Sequence, residues 1–192
     1  VGSQGGISRL GVENISATGE YGVGGLVGNN NGGTISFCST TGQVYGYNQA
    51  GGIAGYSNSG TITACYSRCS VSGDRYIGGL AGLSFSNSIT DSYSVGSVMG
   101  SYSTGGLFGY ENGSTVSSCF WDIETSGQLN SPAGAGKTTE EMMTLSTFTT
   151  AGWDFTNTWI IPCNAYPRLN SERRYSGGTG TQADPFQISR TN

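Results

Sequence analysis

The sequence contains no histidine, few charged residues and no long apolar run, and each of these deficits excludes a class of protein. Without histidine there is neither the usual general base nor the commonest zinc ligand, so Ser-His-Asp and Cys-His nucleophile systems are excluded. Charged residues make up 10% of the chain, with a net charge of -4, which leaves no basic patch for nucleic acid or an anionic membrane. No run approaches the roughly 18 apolar residues of a membrane helix. We therefore expect a non-enzymatic protein with no cofactor, no metal site, no nucleic-acid partner and no membrane insertion.

Glycine, in contrast, is abundant, at 34 of 192 residues. Many of these glycines belong to a Gly-Gly-[Leu/Ile]-x-Gly string that occurs four times at intervals of 27 residues, without an insertion. A period of this length, kept without slippage, is typical of a solenoid with one repeat per coil. The defining residues of the four copies are Gly24, Gly25, Leu26 and Gly28; Gly51, Gly52, Ile53 and Gly55; Gly78, Gly79, Leu80 and Gly82; and Gly105, Gly106, Leu107 and Gly109.

Other positions follow the same period and indicate which side chains point inward. Three apolar or small columns recur: Ile35, Ile62, Ile89 and Val116; Cys38, Cys65, Ser92 and Cys119; and Val44, Val71, Val98 and Thr125. A fourth set, Phe37, Ala64, Asp91 and Ser118, cannot all be buried, which predicts a bend in every coil between the first two columns. We also expect turns at Gly46, Gly73, Gly100 and Gly127. The pattern predicts an all-β, parallel β-solenoid of 27-residue coils.

Three segments follow from where the period begins and ends. Residues 1–127 form the predicted solenoid, and GGISRLGVENISATG, with Ile7 and Leu10, gives a partial coil before the first motif. Residues 128–170 break the period and gather Met, Phe and Trp residues, which predicts a small mixed α+β cap with a short helix over one end or one flank of the stack. Residues 171–192 are a strand-like tail or a linker to a next module.

The stretch SPAGAGKTTEE, residues 131–141, is close to a phosphate-binding loop. The full pattern needs a glycine where this chain has Ser131, so we predict a loop and a short helix instead, with Thr138 as N-cap and Glu141 as its capping-box partner. The acidic residues Asp91, Asp122 and Glu124 define no carboxylate pair across a cleft, which glycosidase chemistry requires.

The repeated motif resembles the GLUG motif of large bacterial and archaeal surface proteins. The resemblance also covers FWDIETSGQ from Phe120, GKTTEEM from Gly136, TFTTAGWDF from Thr147 and YPRLN from Tyr166, and so most of residues 6–170. GGTGTQADPF from Gly177 is similar to the start of a further block. The resemblance implies an extracellular β-solenoid stalk or adhesive segment, sometimes carried on the same polypeptide as a protease domain.

Our main functional expectation is a surface-fibre or stalk subunit that assembles head to tail, or a segment joined to neighbouring modules. In this hypothesis the strand-like tail of one copy pairs with the exposed first coil of the next. The residues expected at that contact are Pro185, Phe186, Gln187 and Ile188 of the tail and Ile7 and Leu10 of the first coil.

Two binding functions are alternatives. A glycan-binding segment would use exposed aromatic residues, with Tyr66, Tyr93 and Phe120 in one column and Tyr56 and Tyr110 near the motif, although packing of these rings is the competing interpretation. An ice-binding solenoid would use a flat hydroxyl ladder formed by Thr34, Thr61, Ser88 and Thr115. Serine in this row weakens a lattice match, and cross-strand ladders explain it equally well.

The five cysteines are Cys38, Cys65, Cys69, Cys119 and Cys163. Cys38 and Cys65 fall on adjacent coils about 4.8 Å apart, which a disulfide tolerates, whereas Cys65 and Cys119 are two coils apart. We expect buried free thiols that act as small apolar groups.

Overall fold

A computed structural model describes residues 2, 5–172, 175–177 and 187–188 of the chain. Strands account for 55% of the residues and helices for 8%, and the strands stack into a parallel β-solenoid of about 4 turns. The predicted fold class is therefore confirmed. Within the described residues, no helix combines the length and the hydropathy needed to span a membrane.

Three parallel sheets form the walls of the solenoid. Wall 1 contains β1 (Gly6–Ser8), β4 (Thr34–Ser36), β7 (Thr61–Thr63), β10 (Ser88–Thr90) and β15 (Thr115–Ser117). Wall 2 contains β2 (Gly11–Gly24), β5 (Ser39–Gly51), β8 (Tyr66–Gly78), β11 (Tyr93–Ser94), β12 (Val98–Met99), β13 (Tyr102–Gly105), β16 (Phe120–Asp122) and β17 (Ala135–Lys137). Wall 3 contains β3 (Val27–Asn31), β6 (Ala54–Asn58), β9 (Ala81–Phe85) and β14 (Phe108–Asn112).

The register between coils follows the sequence period. In wall 1, Ile35 pairs with Ile62, Ile62 with Ile89, and Ile89 with Val116. The first coil is one residue longer, because Gly6 pairs with Thr34. A bulge between Val12 and Ile15 absorbs the extra residue, and from there β2 and β5 keep the 27-residue register.

The predicted interior columns are buried on the inner coils, as the alternation of side chains along a strand requires. At the last coil the prediction is wrong for Thr125, which is exposed because the chain there leaves wall 2 and forms a short helix, and Val116 is half-buried. The column residues of the Ile and Cys sets from the inner coils, together with the Leu and Ile of the motif, form one core cluster. Val44, Val71 and Val98 form a second cluster inside the long strands of wall 2. Because similar residues stack on successive coils, each coil packs against a neighbour with a nearly identical interior.

Each coil turns at two corners where φ is positive, between 49° and 74°: Arg9, Phe37, Ala64, Asp91 and Ser118 precede wall 2, and Gly32, Ser59, Ser86 and Gly113 follow wall 3. A further set with positive φ, Gly22, Gln49, Tyr76 and Ser103, lies inside the strands of wall 2. The first of these sets confirms the predicted bend. Most corner residues are not glycine, although this conformation favours glycine. Their position is therefore fixed by the stacked coils and not by a preference of the residue itself.

The predicted turns at Gly46 and Gly73 are wrong, because both residues lie within strands, in β5 and β8. A Cβ on Gly73 would lie 1.9 Å from the carbonyl oxygen of Gly46, so glycine is required there by the close approach of successive coils. Gly100 lies between β12 and β13. Gly127 does mark a turn, with φ of 68° at the end of a short helix.

The motif glycines also provide room for a neighbouring backbone. None of them has a positive φ. A Cβ on Gly52 would lie 2.4 Å from the carbonyl oxygen of Gly79, and a Cβ on Gly79 would lie 2.3 Å from that of Gly106. Hydroxyls fill the remaining space, since Thr40 Oγ1 donates to Gly52 O at 2.9 Å. The motif thus marks a place where the backbones of successive coils come too close for a side chain.

The cap covers a flank of the stack. It contains α1 (Ile123–Ser126), α2 (Thr139–Met142), α3 (Leu145–Thr149) and the antiparallel pair β18 (Trp159–Ile160) and β19 (Arg168–Leu169). Its buried side chains Met142, Phe148, Trp153, Trp159 and Leu169 pack against Tyr66, Tyr93 and Phe120 of three successive coils. Further along the chain, β20 (Tyr175–Gly177) and β21 (Gln187–Ile188) pair with each other in antiparallel fashion.

Candidate binding surfaces

The first coil presents the edges of all three walls at one end of the solenoid. In the described part of the chain, β1, β2 and β3 pair on one side only, with β4, β5 and β6. The apolar column is also uncovered there: Ile7 and Leu26 are half-buried, whereas Ile35 and Ile53 on the next coil are 0% exposed. Leu10, beside them, is 44% exposed. This end offers unpaired backbone groups around an apolar centre.

The tail strand, which we predicted to pair with the first coil of another copy, pairs within its own chain. Gln187 and Ile188 form β21, which pairs with β20 of the same chain in a separate two-stranded sheet. Pro185 and Phe186 lie outside the described residues. The structure therefore places Ile7 and Leu10 on the first coil, and Gln187 and Ile188 in a two-stranded sheet with β20.

The opposite end of the stack is partly covered by the chain itself. Strand β17 pairs with β16, and Ser131 Oγ accepts from Phe108 N at 2.9 Å, beside the last strand of wall 3. Gly136 and Lys137 are strand residues, and Lys137 Nζ lies 3.4 Å from Glu141 Oε1. The predicted capping box between Thr138 and Glu141 is confirmed. The two ends of the solenoid are thus chemically different.

Wall 1 carries the predicted hydroxyl ladder on its outer face. Thr34, Thr61, Ser88 and Thr115 lie side by side on successive strands, and all but the half-buried Thr61 are exposed. A second row, two residues further along each strand, is bonded within itself: Thr63 Oγ1 lies 2.8 Å from Thr90 Oγ1 and Ser36 Oγ donates to Ser8 Oγ at 3.1 Å. This bonding is the cross-strand pattern of an ordinary sheet, and ice binding stays a prediction.

The two aromatic sets have different surroundings. Tyr66, Tyr93 and Phe120 are at most 7% exposed because the cap covers them, so this column packs and is not accessible to a glycan. Tyr56 and Tyr110 lie on wall 3 with Phe85 between them, at ring centroid distances of 6.2 and 5.7 Å. Tyr76 meets Tyr110 edge to face at 5.9 Å.

These four rings form a row that runs along wall 3 and ends at Tyr76 of wall 2. We call this row the wall 3 aromatic ladder. Tyr56, Tyr76 and Phe85 are half-buried, and Tyr110 is 38% exposed. Asn58 and Asn112 flank Phe85 on the neighbouring strands. The sequence did not single out Phe85 and Tyr76, because neither column is aromatic on the other coils. The column of Phe85 otherwise contains asparagine, and the column of Tyr76 otherwise contains glycine, glutamine and serine. Only the folded wall brings them beside Tyr56 and Tyr110.

A polar network that the sequence did not indicate lies under the cap. The guanidinium of Arg68 donates to Tyr93 Oη at 3.4 Å and to the carbonyl oxygen of Pro167 at 3.3 Å. Tyr66 donates to Glu172 Oε2 at 2.7 Å, and Tyr93 donates to Pro167 O. Burial, with the nearby Tyr93 and Glu172, raises the pKa of Tyr66 far above its usual value. The network therefore holds neutral tyrosines against the half-buried guanidinium of Arg68, which is a structural role.

Asp122, one of the acidic residues in the sequence, joins the cap to the last coil. It is 0% exposed, and its Oδ1 accepts from the backbone of Glu124 and Thr125. Its Oδ2 accepts from Thr139 Oγ1 and Tyr166 Oη, both at 2.7 Å. With both oxygens satisfied by the protein, this carboxylate stabilises the cap.

An open groove of about 720 Å³ lies where wall 2 meets α1. Its walls include Tyr45, Met99, Glu124 and Gln128. Glu124 is occupied, since its Oε2 accepts from Thr139 N at 2.8 Å, and Gln128 Nε2 donates to Val98 O at 3.0 Å. Both of these polar side chains thus bind the protein's own backbone.

All five cysteines are free thiols, and Cys163 alone is exposed. Cys38, Cys65 and Cys119 each donate a long hydrogen bond to the carbonyl oxygen two residues earlier, at 3.1 to 3.3 Å. Ser92 occupies the same column and donates likewise at 2.8 Å. The expectation of buried free thiols is confirmed for the column.

Comparisons with known proteins give the fold but no family, since no family model matches the chain. A stretch of 56 residues is 39% identical to part of a protein of Evansella cellulosilytica named "Putative Gly-rich membrane protein". This stretch spans 29% of the chain and 6% of that protein, so the chain corresponds to a small fraction of the relative's length.

One solved structure is similar over most of the chain. It is named "putative immunoglobulin A1 protease" and comes from Bacteroides ovatus, and it superposes with a TM-score of 0.64 and 23% identity. The match covers 87% of this chain and 69% of that chain. At this identity the likeness shows the solenoid fold alone.

Proposed function

We propose that this chain is a non-enzymatic, extracellular structural module of a microbial surface protein of the GLUG-repeat type, and that it joins a neighbouring module or copy head to tail by strand addition. The observation that carries the proposal is the first coil, where three parallel strand edges surround the uncovered side chains of Ile7 and Leu26. Strand edges of this kind are templates for another strand.

The chemistry of the incoming strand follows from that of the edge. Each wall continues downward as a parallel sheet, so an added strand that runs parallel would extend the same hydrogen-bonding pattern. An apolar side chain opposite Ile7 would complete the buried column that Ile35 and Ile62 continue. The tail sequence PFQIS, with Phe186 and Ile188, offers such side chains.

The similar proteins supply no activity for this chain. The relative that shares 56 residues with it is named as a membrane protein, which supports a surface role, and the solved structure, named as a protease of immunoglobulin A1, supports the solenoid fold alone. We assign no proteolysis to this chain, because it has no histidine and Asp122 is already bonded on both oxygens. A solenoid that positions other modules needs no catalytic group.

The edge can be tested without disturbing the coil beneath it. Arg9 N donates to Ser36 O, and Gly5 O accepts from Thr34 N, so the odd-numbered residues of β1 face β4 and the N–H of Ser8 faces outward. Ser8→Pro removes that outward donor while leaving the bonds to β4 in place. Ser8→Ala is the matched control, because it removes the hydroxyl and keeps the N–H.

We expect the untagged chain to form larger particles as its concentration rises, measured by light scattering after size exclusion and by electron microscopy. Ser8→Pro and deletion of residues 175–192 should both leave monomers, whereas Ser8→Ala should assemble like the parent. Assembly that survives the deletion would refute the tail as donor, and assembly that survives Ser8→Pro would refute the edge. A parent that is monomeric at every concentration would contradict self-assembly altogether.

A second candidate function, glycan binding, is favoured by the wall 3 aromatic ladder. Aromatic faces stack on the apolar faces of sugar rings, while neighbouring amides such as those of Asn58 and Asn112 suit sugar hydroxyls. Tyr110 is the most exposed ring of the ladder.

If glycans bind there, Tyr110→Ala should weaken binding about tenfold for any polysaccharide that the parent chain binds. This loss corresponds to the roughly 1.4 kcal/mol expected for one stacked ring. Tyr21→Ala is the control, since Tyr21 lies on wall 2 and is 66% exposed. Binding would be measured by affinity electrophoresis against a panel of neutral and acidic polysaccharides. Equal losses in the two variants would indicate nonspecific adhesion and contradict a site at the ladder.

A further inference from the structure

Two of the buried thiols lie on adjacent coils in register. Tyr66 N donates to Cys38 O at 3.0 Å, and Ser39 pairs with Tyr66, so Cys38 and Cys65 occupy equivalent places in the corners directly before β5 and β8. The strand spacing puts their Cα atoms about 4.8 Å apart. This lies within the usual range of disulfide-bonded cysteines, about 4.4 to 6.8 Å.

The remaining cysteines cannot compete for this pairing. Cys119 is two coils below Cys65, with Ser92 between them, and this is about 10 Å by strand spacing. Cys69 belongs to a different cluster inside wall 2, and the residue paired with it on β5 is Gly42. Cys163 is exposed in the cap region, far along the chain. Of the cysteines in the described residues, Cys38 and Cys65 are the pair that strand register brings together.

The two thiols share one buried environment. Both side chains are 0% exposed, and each thiol donates to the carbonyl oxygen two residues earlier. The neighbouring Cys65 side chain lowers the pKa of Cys38 to about 7, while burial raises the pKa of Cys65 well above its usual value. A thiol with a lowered pKa is the one that attacks a disulfide, because the thiolate is the nucleophile.

We propose that Cys38 and Cys65 form a disulfide under oxidising conditions and that this bond staples the second coil to the third, next to the exposed end of the solenoid. The inference is independent of the proposed function, because it concerns the bonding within one chain. The bond would close a loop of the length of one coil. Closing a loop of this length reduces the entropy of the unfolded chain and so stabilises the fold.

The oxidant is a small-molecule disulfide, and glutathione disulfide serves as the probe. The Cys38 thiolate attacks one sulfur of glutathione disulfide, forms a mixed disulfide and releases one glutathione thiolate. The thiolate of Cys65 then attacks the Cys38 sulfur and releases the second glutathione. Two protein thiols are oxidised to one disulfide, and one glutathione disulfide is reduced to two glutathione molecules. Because both sulfurs are buried, the exchange takes place during folding or when the first coils open.

The bond can be located directly in the full chain, with Cys163→Ser to remove the exposed thiol. Chymotrypsin cleaves after aromatic residues, and cuts after Phe37, Tyr45, Tyr56 and Tyr66 place Cys38 in peptide 38–45 and Cys65 in peptide 57–66. After refolding in excess glutathione disulfide, mass spectrometry should find these two peptides joined, and dithiothreitol should separate them. Two unlinked thiol peptides, or a link to Cys69 or Cys119, would overturn the proposal.

The stapling effect has its own measurement. Oxidation of the Cys163→Ser chain should raise Tm by about 10 °C over the reduced sample, from the loop-closure entropy and the size of the chain. Adding Cys65→Ser should abolish this difference, whereas adding Cys119→Ser should keep it. A mapped bond without a rise in Tm would contradict stapling. The peptide map needs neither added substitution, so it decides the bond even if those variants fail to fold.

Discussion

Gly79→Ala is expected to lower the free energy of unfolding by about 3 kcal/mol or more, although it adds a single methyl group. A Cβ at this position would lie 2.3 Å from the carbonyl oxygen of Gly106 and 2.7 Å from the hydroxyl oxygen of Ser94. The obstacle is the backbone of the next coil, which cannot move without breaking the hydrogen bonds of wall 2 and wall 3. Urea unfolding followed by far-UV circular dichroism measures the change.

Gly6→Ala is the matched control. Gly6 lies in β1, and the nearest atom to an added Cβ is the carbonyl oxygen of Thr34 at an ordinary 3.5 Å. We expect this variant to be neutral or slightly more stable, since alanine restricts the unfolded chain more than glycine does. Similar losses in the two variants would show that glycine is required for flexibility during folding and not for the close approach of coils.

Trp159→Ala is expected to cost about 3 to 5 kcal/mol of stability, as for other buried tryptophans. Trp159 is 1% exposed, and its ring lies 4.4 Å from that of Trp153 and 6.0 Å from that of Tyr93. The substitution would leave a cavity between the cap and three stacked coils. Near-UV circular dichroism should lose the signal of the packed aromatic rings, and the urea midpoint should fall.

Leu145→Ala provides the comparison within the same cap, because Leu145 is in α3 but is 47% exposed. It should change stability by less than about 0.5 kcal/mol, as surface substitutions usually do. If Trp159→Ala were equally mild, the cap would be a loosely held appendage, and the burial of Tyr66, Tyr93 and Phe120 would contribute little to the solenoid.

The period of the motif was enough to predict the solenoid, its coil length and its interior columns. Ile35, Ile62 and Ile89 pair on successive short strands, and this stacking buries all three. The bend at Phe37 was also predictable, because that column mixes aromatic, small and acidic residues. A fixed period carries this information because each coil meets the same neighbours.

Other features depend on contacts that the period does not record. Gly46 and Gly73 look like turn residues in the sequence, yet they lie in strands. The sequence alone does not distinguish a glycine required by a close backbone approach from one required by a positive φ. Ser59 and Ser86 form corners that no local preference indicates. The extra residue of the first coil appears only when its strands are paired.

The candidate surfaces were predictable to different degrees. The hydroxyl ladder follows from alternation in wall 1, and it forms as predicted. The aromatic residues divided in a way that the sequence left open: the cap buries Tyr93 and leaves Tyr110 exposed. The network around Arg68 includes a bond between Tyr66 and Glu172, which are 106 positions apart, so no local pattern could reveal it.

The constant coil length has a consequence for how such a protein can change over generations. A duplicated or deleted coil would leave every strand of the three walls opposite an equivalent partner, because each coil already pairs with a near copy of itself. Unequal recombination between repeats can therefore lengthen or shorten the rod in uniform steps of about 4.8 Å without a new packing problem. An insertion of one residue has no such freedom, and the bulge between Val12 and Ile15 shows where the molecule tolerates it. The length of the rod can therefore evolve by the gain or loss of whole coils.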